Sequence, residues 1–163
     1  MEKERLVYSI TRFDHYFDSV NNKTAGYIAL NTFVLGGIIT GYVSVQDHIC
    51  KYSNLFNSLL SLEMIIGVLN LIFLIFASVP YFTKNSKSLY YFGGIGSFTE
   101  DEFTKRSKSI TGKEELKDLR NQVHVLSLGL TKKFSWLKKS GRLLVLQFFL
   151  LLPLIIILLL NKF

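Results

Sequence analysis

The chain has 163 residues, 49% of them apolar, and a formal net charge of +7, and by length it is one domain. Its apolar residues are gathered into a few uninterrupted blocks, which excludes an ordinary soluble core and points to lipid. The single cysteine, Cys50, excludes an intrachain disulfide framework.

The first residues, Met1-Glu2-Lys3-Glu4-Arg5, are mixed in charge and lack the apolar stretch and small-residue cleavage site of a secretory signal, so no cleavage is expected here. Leu6, Ile10, Phe13, Phe17 and Val20 then recur at steps of four, three, four and three. This spacing predicts an amphipathic cytosolic helix over 1–23, which either runs straight into the next segment or lies along a membrane surface.

A membrane span needs about 20 predominantly apolar residues, and three blocks meet that length. Residues 24–45 carry no charge, residues 55–79 carry only Glu63, and residues 143–160 are almost all Leu, Ile, Phe and Val. The first two make a transmembrane hairpin over 24–82, and the last makes a third transmembrane helix over 143–163. Pro153 is tolerated because a membrane helix re-satisfies the backbone around a proline.

Polar residues inside spans face other helices or water, since lipid gives them no partner. Asn31 and Asn70 are the deepest of these. Gly37 and Gly41, four apart with Gly36 beside them, have the spacing that lets helix backbones approach, with a gate hinge as the sharper alternative. Glu63 costs about 2.5–3.5 kcal/mol if charged at the bilayer centre. It is therefore expected about one turn inside the outer boundary, as a structural glutamate or as part of an ion-attracting ring in an oligomer.

Basic residues set direction. Seventeen of the nineteen Lys and Arg lie in 1–23 and 83–142, which predicts a cytosolic N-terminus and an outside C-terminus. Tyr27, Tyr81, Phe82 and Trp136 fall near the inner boundary, and Tyr42 and Tyr52 near the outer one, as aromatic belts do.

Between the second and third spans lies a basic cytosolic helical region, 83–142, with thirteen basic residues against six acidic. The run Lys84 to Ser88 breaks periodicity, and Tyr90-Tyr91-Phe92-Gly93-Gly94-Ile95-Gly96 reads as a tight turn. Thr99 with Glu102, and Thr111 with Glu114, have the spacing of reciprocal helix caps. From Lys113 onward Leu116, Leu119, Val123, Leu126, Leu130, Phe134 and Leu137 alternate three- and four-residue steps, the pattern of a helix-packing seam. A helix continuous from Lys113 to Asn161 is roughly 73 Å long at 1.5 Å per residue, enough to cross a bilayer and project from it. The seam packs against the N-terminal helix, against a second copy, or both.

The sequence shows no metal-ligand cluster, no catalytic dyad and no cofactor motif. His15, His48 and His124 fall on separate segments, and the glycines at 93–96 lack the Lys-Ser/Thr of a phosphate loop. Catalysis is therefore not expected. Lys132, Lys133, Lys138, Lys139 and Arg142, just before the third span, suit anionic lipid headgroups at about 1 kcal/mol each. Lys105, Arg106, Lys108, Lys113, Lys117 and Arg120 are better placed for a soluble anion such as a nucleotide.

Three stretches resemble Pycsar transmembrane effectors: Asp18 to Gly37, with its Lys-x-Ala entry to a span holding Asn31 and Gly36-Gly37; Leu89 to Ile95; and Asp118 to Phe134. Asn21 departs from that pattern, in which an acidic residue is expected before the lysine. The resemblance implies a bacterial antiphage effector in the inner membrane. It also implies control by a cyclic nucleotide or oligonucleotide signal made by a partner nucleotidyltransferase or cyclase, and permeabilisation of the membrane as the output.

The expected architecture is thus an all-α membrane protein with three transmembrane helices and a helical cytosolic region. The third span is continuous with a long cytosolic helix, and copies assemble as a homo-oligomeric bundle in the lipid bilayer. A pore is the leading expectation. The alternatives are a non-conducting anchor or scaffold for a cytosolic partner protein, and leakage without a defined pore.

Overall fold

The computed structural model describes residues 1–80 and 87–162. Tyr81, Phe82, Lys84 and the rest of the break after the second apolar block lie outside the described residues.

The described chain is helical throughout, without strands: α1 (Glu2–Val45), a single 3₁₀ turn (Gln46–His48), α2 (Ser53–Ser78), α3 (Phe92–Ile95), α4 (Glu100–Ser109) and α5 (Gly112–Lys162). The amphipathic N-terminal segment is continuous with the first apolar block, in one helix of 44 residues. The heptad-like segment is likewise continuous with the last apolar block, in one of 51, with Pro153 inside it. α1, α2 and α5 each contain a stretch long and apolar enough to cross a membrane.

Contacts divide the chain into two units, each drawing on both α1 and α5. The first holds Met1–Ser19 and Val79–Lys132, the second Val20–Ser78 and Lys133–Phe163.

In the first unit the apolar stripe read from the sequence is the packed one: Leu6, Ile10, Phe13 and Phe17 are half-buried while Arg12 and Asp14 are exposed. On α5 the core positions are Leu119 and Leu130, with Gln122 also buried. Both predicted caps form. Thr99 accepts from the Glu102 backbone N–H at 3.3 Å while Glu102 accepts from the Thr99 N–H at 2.9 Å, and Thr111 and Glu114 make the same exchange at 3.4 and 2.9 Å. These bonds satisfy donors that a helix start otherwise leaves open.

In the second unit three helices pack along seams of alternating three- and four-residue steps, the 3.5-residue period of coiled-coil packing. α2 buries Phe56, Glu63, Asn70 and Ala77, seven apart, with Ile66, Gly67 and Leu74 between them. α5 buries Lys133, Ser140, Gln147 and Leu154, again seven apart, with Leu137 and Leu144 between them and Ile157 beyond. α1 contributes Val20, Thr24, Asn31, Val34 and Leu35. The sequence reading put Phe134 on the α5 seam, but it is 38% exposed and Lys133 takes the buried position. A seam leaving Leu130 satisfies the period at either residue, and the lysine wins because its ammonium finds acceptors inside the bundle.

At one end of the second unit Phe56, Leu154 and Ile157 form a buried apolar cluster covered by Tyr42, Val45 and Leu151. The α1–α2 connection there is fastened by Asn161. Its Oδ1 accepts from the backbone N–H groups of Cys50 and Lys51 at 3.0 and 2.7 Å, and its Nδ2 donates to the Lys51 carbonyl at 3.0 Å. These bonds hold the neighbouring Tyr52 at φ 59°, a left-handed conformation that costs a residue with a Cβ of order 1–3 kcal/mol.

Candidate functional site

Every helix of the second unit places polar side chains on its buried seam. Asn31, Glu63, Asn70 and Gln147 are all 0% exposed. Asn31 Nδ2 donates to the Gly67 carbonyl at 3.0 Å, using the second lone pair that a helical carbonyl keeps free. Asn70 Nδ2 donates to Asn31 Oδ1 at 3.1 Å and, at 3.4 Å, to Gln147 Oε1. One amide on α2 thereby ties α1 to α5. The α2 backbone comes this close because residue 67 is glycine: a Cβ there would press on the Leu35 side chain and stand 2.9 Å from Gln147 Nε2.

The layer is only partly satisfied. Asn70 Oδ1, Gln147 Nε2 and both Glu63 carboxyl oxygens are buried without a hydrogen-bond partner, as are Thr24 Oγ1 and Ser140 Oγ one heptad away toward Lys133. Each such atom costs about 1–3 kcal/mol when its water is stripped and not replaced. Six of them inside an otherwise apolar bundle do not make a stability device.

Lys133 closes this polar file. Its Nζ donates to the Ala77 carbonyl at 2.8 Å, the Ser78 carbonyl at 3.1 Å and Asn21 Oδ1 at 3.1 Å. An ammonium has three hydrogens, and all are used on the last carbonyls of α2 and on α1. Lys133 is 5% exposed, which corrects its assignment to lipid headgroups: the helix end is the better partner because its carbonyls lack intrahelical donors. Asn21, where the family pattern leads one to expect an acid, supplies a neutral oxygen to this ammonium.

The other span residues fall differently. Glu63 lies within α2 and is enclosed by the helices. Gly37 and Gly41 do not seat a close helix contact within the chain, since a Cβ at either meets nothing within 4 Å. They line an apolar groove of about 310 Å³ between α1 and α5, with Phe33, Phe148 and Ile155. Gly67 makes the close approach instead.

The six basic residues read as an anion site belong to the first unit: Lys105, Arg106 and Lys108 on α4, and Lys113, Lys117 and Arg120 on the first turns of α5, all exposed. Arg120 is engaged. It grips Glu2 through two bonds, Nε to Oε1 at 2.8 Å and a terminal nitrogen to Oε2 at 3.0 Å. Arg106 lies 5.7 Å over the Phe98 ring. Beside them Lys3 pairs with Glu115 at 2.8 Å, and the Tyr90 hydroxyl donates to the same carboxylate at 2.7 Å.

These contacts move the titrations. Hydrogen bonding from Arg120 holds the Glu2 carboxyl below the usual carboxylate range, and bonds from Lys3 and then Tyr90 do the same for Glu115. Glu102 and Glu114 are lowered by the backbone N–H groups they cap. Burial, and then the Glu115 carboxylate, push the Tyr90 phenol up to about 12.

Sequence reasoning missed Gln147, Gly67 and the buried role of Lys133. The signal was present: Lys133, Ser140 and Gln147 are spaced by seven along α5 while the intervening Leu130, Leu137, Leu144 and Leu151 are spaced by seven as well. Among the described residues no group of three or more His, Cys, Asp or Glu converges to hold a metal ion.

Three long apolar helices with a polar file in the interior of the second unit, and a first unit rich in exposed base, define a helical membrane protein. The family model of the Pycsar effector protein domain matches residues 5–160, and the chain belongs to that family, a class of membrane effectors in antiphage defence. No curated protein and no solved structure matches the chain.

Proposed function

We propose that the protein is a nucleotide-controlled, membrane-permeabilising effector. Copies assemble in the bacterial inner membrane with the N-terminus in the cytosol, and the buried polar layer becomes the lining of an aqueous path. The observation that supports this reading is the layer itself, whose unpartnered atoms at Glu63, Asn70 and Gln147 are satisfied once water or another copy reaches them. Polar groups retained inside membrane helices at such a cost mark ion and substrate pathways.

Control acts through the first unit. A nucleotide or oligonucleotide made by a partner nucleotidyltransferase or cyclase carries the phosphates that Lys105, Arg106, Lys108, Lys113 and Lys117 attract. Phosphate also competes with Glu2 for Arg120, because a guanidinium fork fits either anion. Taking Arg120 from Glu2 frees the first turn of α1. α1 and α5 each belong to both units, so a ligand that prefers the released arrangement biases the equilibrium in proportion to that preference. Gly37 and Gly41, open within the protomer, supply the small-residue surface on which membrane helices of neighbouring copies meet.

The test is single-channel recording from the reconstituted protein with candidate cyclic nucleotides and oligonucleotides. Discrete conductance steps that appear with one of these ligands and change amplitude in Asn70→Leu support the pore. Dye release that ignores Asn70→Leu means leakage without a defined path, and absence of flux under every ligand favours the scaffold.

A further inference from the structure

We propose that Lys23, Tyr27, Lys138 and Arg142 form a discrete site for one anionic phospholipid, whose headgroup phosphate is held between α1 and α5 where both helices enter their apolar blocks. The site stands apart from the buried polar layer and from any reading of conductance.

The four side chains line one open groove of about 550 Å³ within the second unit, Lys23 and Tyr27 from α1, Lys138 and Arg142 from α5. Gly141 brings the two walls together. A Cβ there would stand 3.3 Å from the Tyr27 ring and 3.5 Å from its hydroxyl, so the tyrosine lies against the α5 backbone. Leu137 and Val145 add apolar wall to the same groove.

The sequence sets this groove at a boundary. Lys23 is the last charged residue before the uncharged block 24–45, and Arg142 the last before 143–160. Basic side chains in that position reach phosphates while their stems, and an adjoining tyrosine ring, stay against apolar chain.

The groove's charge is uncompensated. Lys138 and Arg142 are one helical turn apart on α5, a like-charge spacing that opposes the helix, and Lys23 adds a third cation from α1. None of the three has an ion pair or side-chain hydrogen bond with another described residue. Their neighbours on α5 are used otherwise: Lys133 bonds the end of α2, and Lys139 lies 4.1 Å over the Trp136 ring. The second unit holds two acidic side chains, Asp47 and Glu63. Glu63 is enclosed, and Asp47 lies past the far end of α1. The anion that balances this groove therefore comes from outside the chain.

A membrane phospholipid supplies it at this position. Its phosphate accepts from the Arg142 guanidinium, the two ammonium groups and the Tyr27 phenol, and its acyl chains run past Val145 along the apolar blocks. A soluble phosphate ester carries the charge but has nothing to lay against the apolar wall. Basic pockets between membrane helices take phospholipid headgroups on these terms. Of the basic flank before the third span, Lys138 and Arg142 line the groove, and Lys132, Lys133 and Lys139 do not. That division separates a site from diffuse attraction to the bilayer.

Native mass spectrometry of the full chain in detergent, titrated with phosphatidylglycerol, counts bound lipid and measures its affinity. The expected result is one phosphatidylglycerol retained per chain, in preference to phosphatidylcholine. Lys138→Gln with Arg142→Gln should weaken it about 30-fold, and Lys23→Gln about fivefold, the effect of two headgroup contacts and of one. Lys132→Gln with Lys139→Gln removes the same charge outside the groove and should leave the affinity near the parent's. All five positions are exposed, and circular dichroism identical to the parent shows that each variant has kept its helices. Equal weakening in the two double variants reduces the attraction to net charge and overturns the site, as does a parent that retains no lipid. Displacement of the lipid by an equal concentration of glycerol 3-phosphate overturns the phospholipid as occupant and makes the groove a site for soluble phosphate.

Discussion

Glu2, Lys3, Tyr90, Glu115 and Arg120 in the first unit meet near the surface, and each has a partner within 3.0 Å. Glu63, Asn70 and Gln147 in the second unit are wholly enclosed and leave four atoms with none. The first set follows the ordinary economy of a soluble surface, where charges are paired and still wet. The second breaks it, in the part of the chain read as lying in lipid, where the penalty for an unpaired group is highest. On the proposed reading, such a layer is retained for an opened bundle. Gly67 and Lys133 show that the packing around it is nonetheless specific.

The largest effect expected within the folded bundle comes from Gly67→Ala. The new Cβ would press on Leu35 and on Gln147 Nε2, and overpacking of this kind costs about 1–3 kcal/mol. Thermal unfolding in detergent should fall by several degrees, whereas Gly37→Ala and Gly41→Ala, which meet open space within the protomer, lower it less. Equal losses at all three positions would erase the distinction between the close approach and the groove.

Lys133→Met comes next. It removes three hydrogen bonds from the end of α2, and leaving partners unmade costs about 1–3 kcal/mol. Hydrogen exchange of α2 amides should accelerate near Ala77 and Ser78 and stay unchanged near Phe56. Asn21→Asp acts in the other direction, replacing a neutral acceptor by a carboxylate that bonds an ammonium about twice as strongly; melting in detergent checks it.

The smallest effects belong to the first unit and follow pH. Glu2, Glu102, Glu114 and Glu115 are all held below the usual value of 4.5. A carboxylate with a depressed folded value contributes stability that is fully present above its unfolded value and is lost as pH falls through the folded one. Acidification below 4.5 should therefore loosen the ties of α1 to α5 and both caps together. Backbone exchange in residues 1–19 and 99–120, corrected for its intrinsic pH dependence, is the readout. Arg120→Gln should bring the Glu2 component of this transition to a higher pH and leave the caps where they were.

Much of this was legible in the amino-acid order. Runs of apolar residues define the three long helices because nothing but length and composition is needed to commit a segment to lipid. The Thr99 and Thr111 caps were readable because a cap is a local device, complete within four residues. Asn31, Glu63 and Asn70 stood out as polar residues in apolar blocks. Their convergence did not, because it depends on the register of three helices far apart in sequence. Gln147 was hidden by its setting, a glutamine in a leucine-rich run whose period decides between burial and exposure. Lys133 was misread for a related reason. Adjacent lysines at 132 and 133 look alike on a flank, and only the seam tells which one turns inward.

On the proposed reading, water reaches the enclosed layer around Gln147 only when the effector is active. A Gln147→Cys variant, with Cys50→Ser removing the other thiol, can be treated in membranes with a small water-soluble thiol reagent before and during dye leakage. The account predicts protection at rest and labelling that rises in step with leakage. Leakage with the thiol at 147 still protected would contradict it.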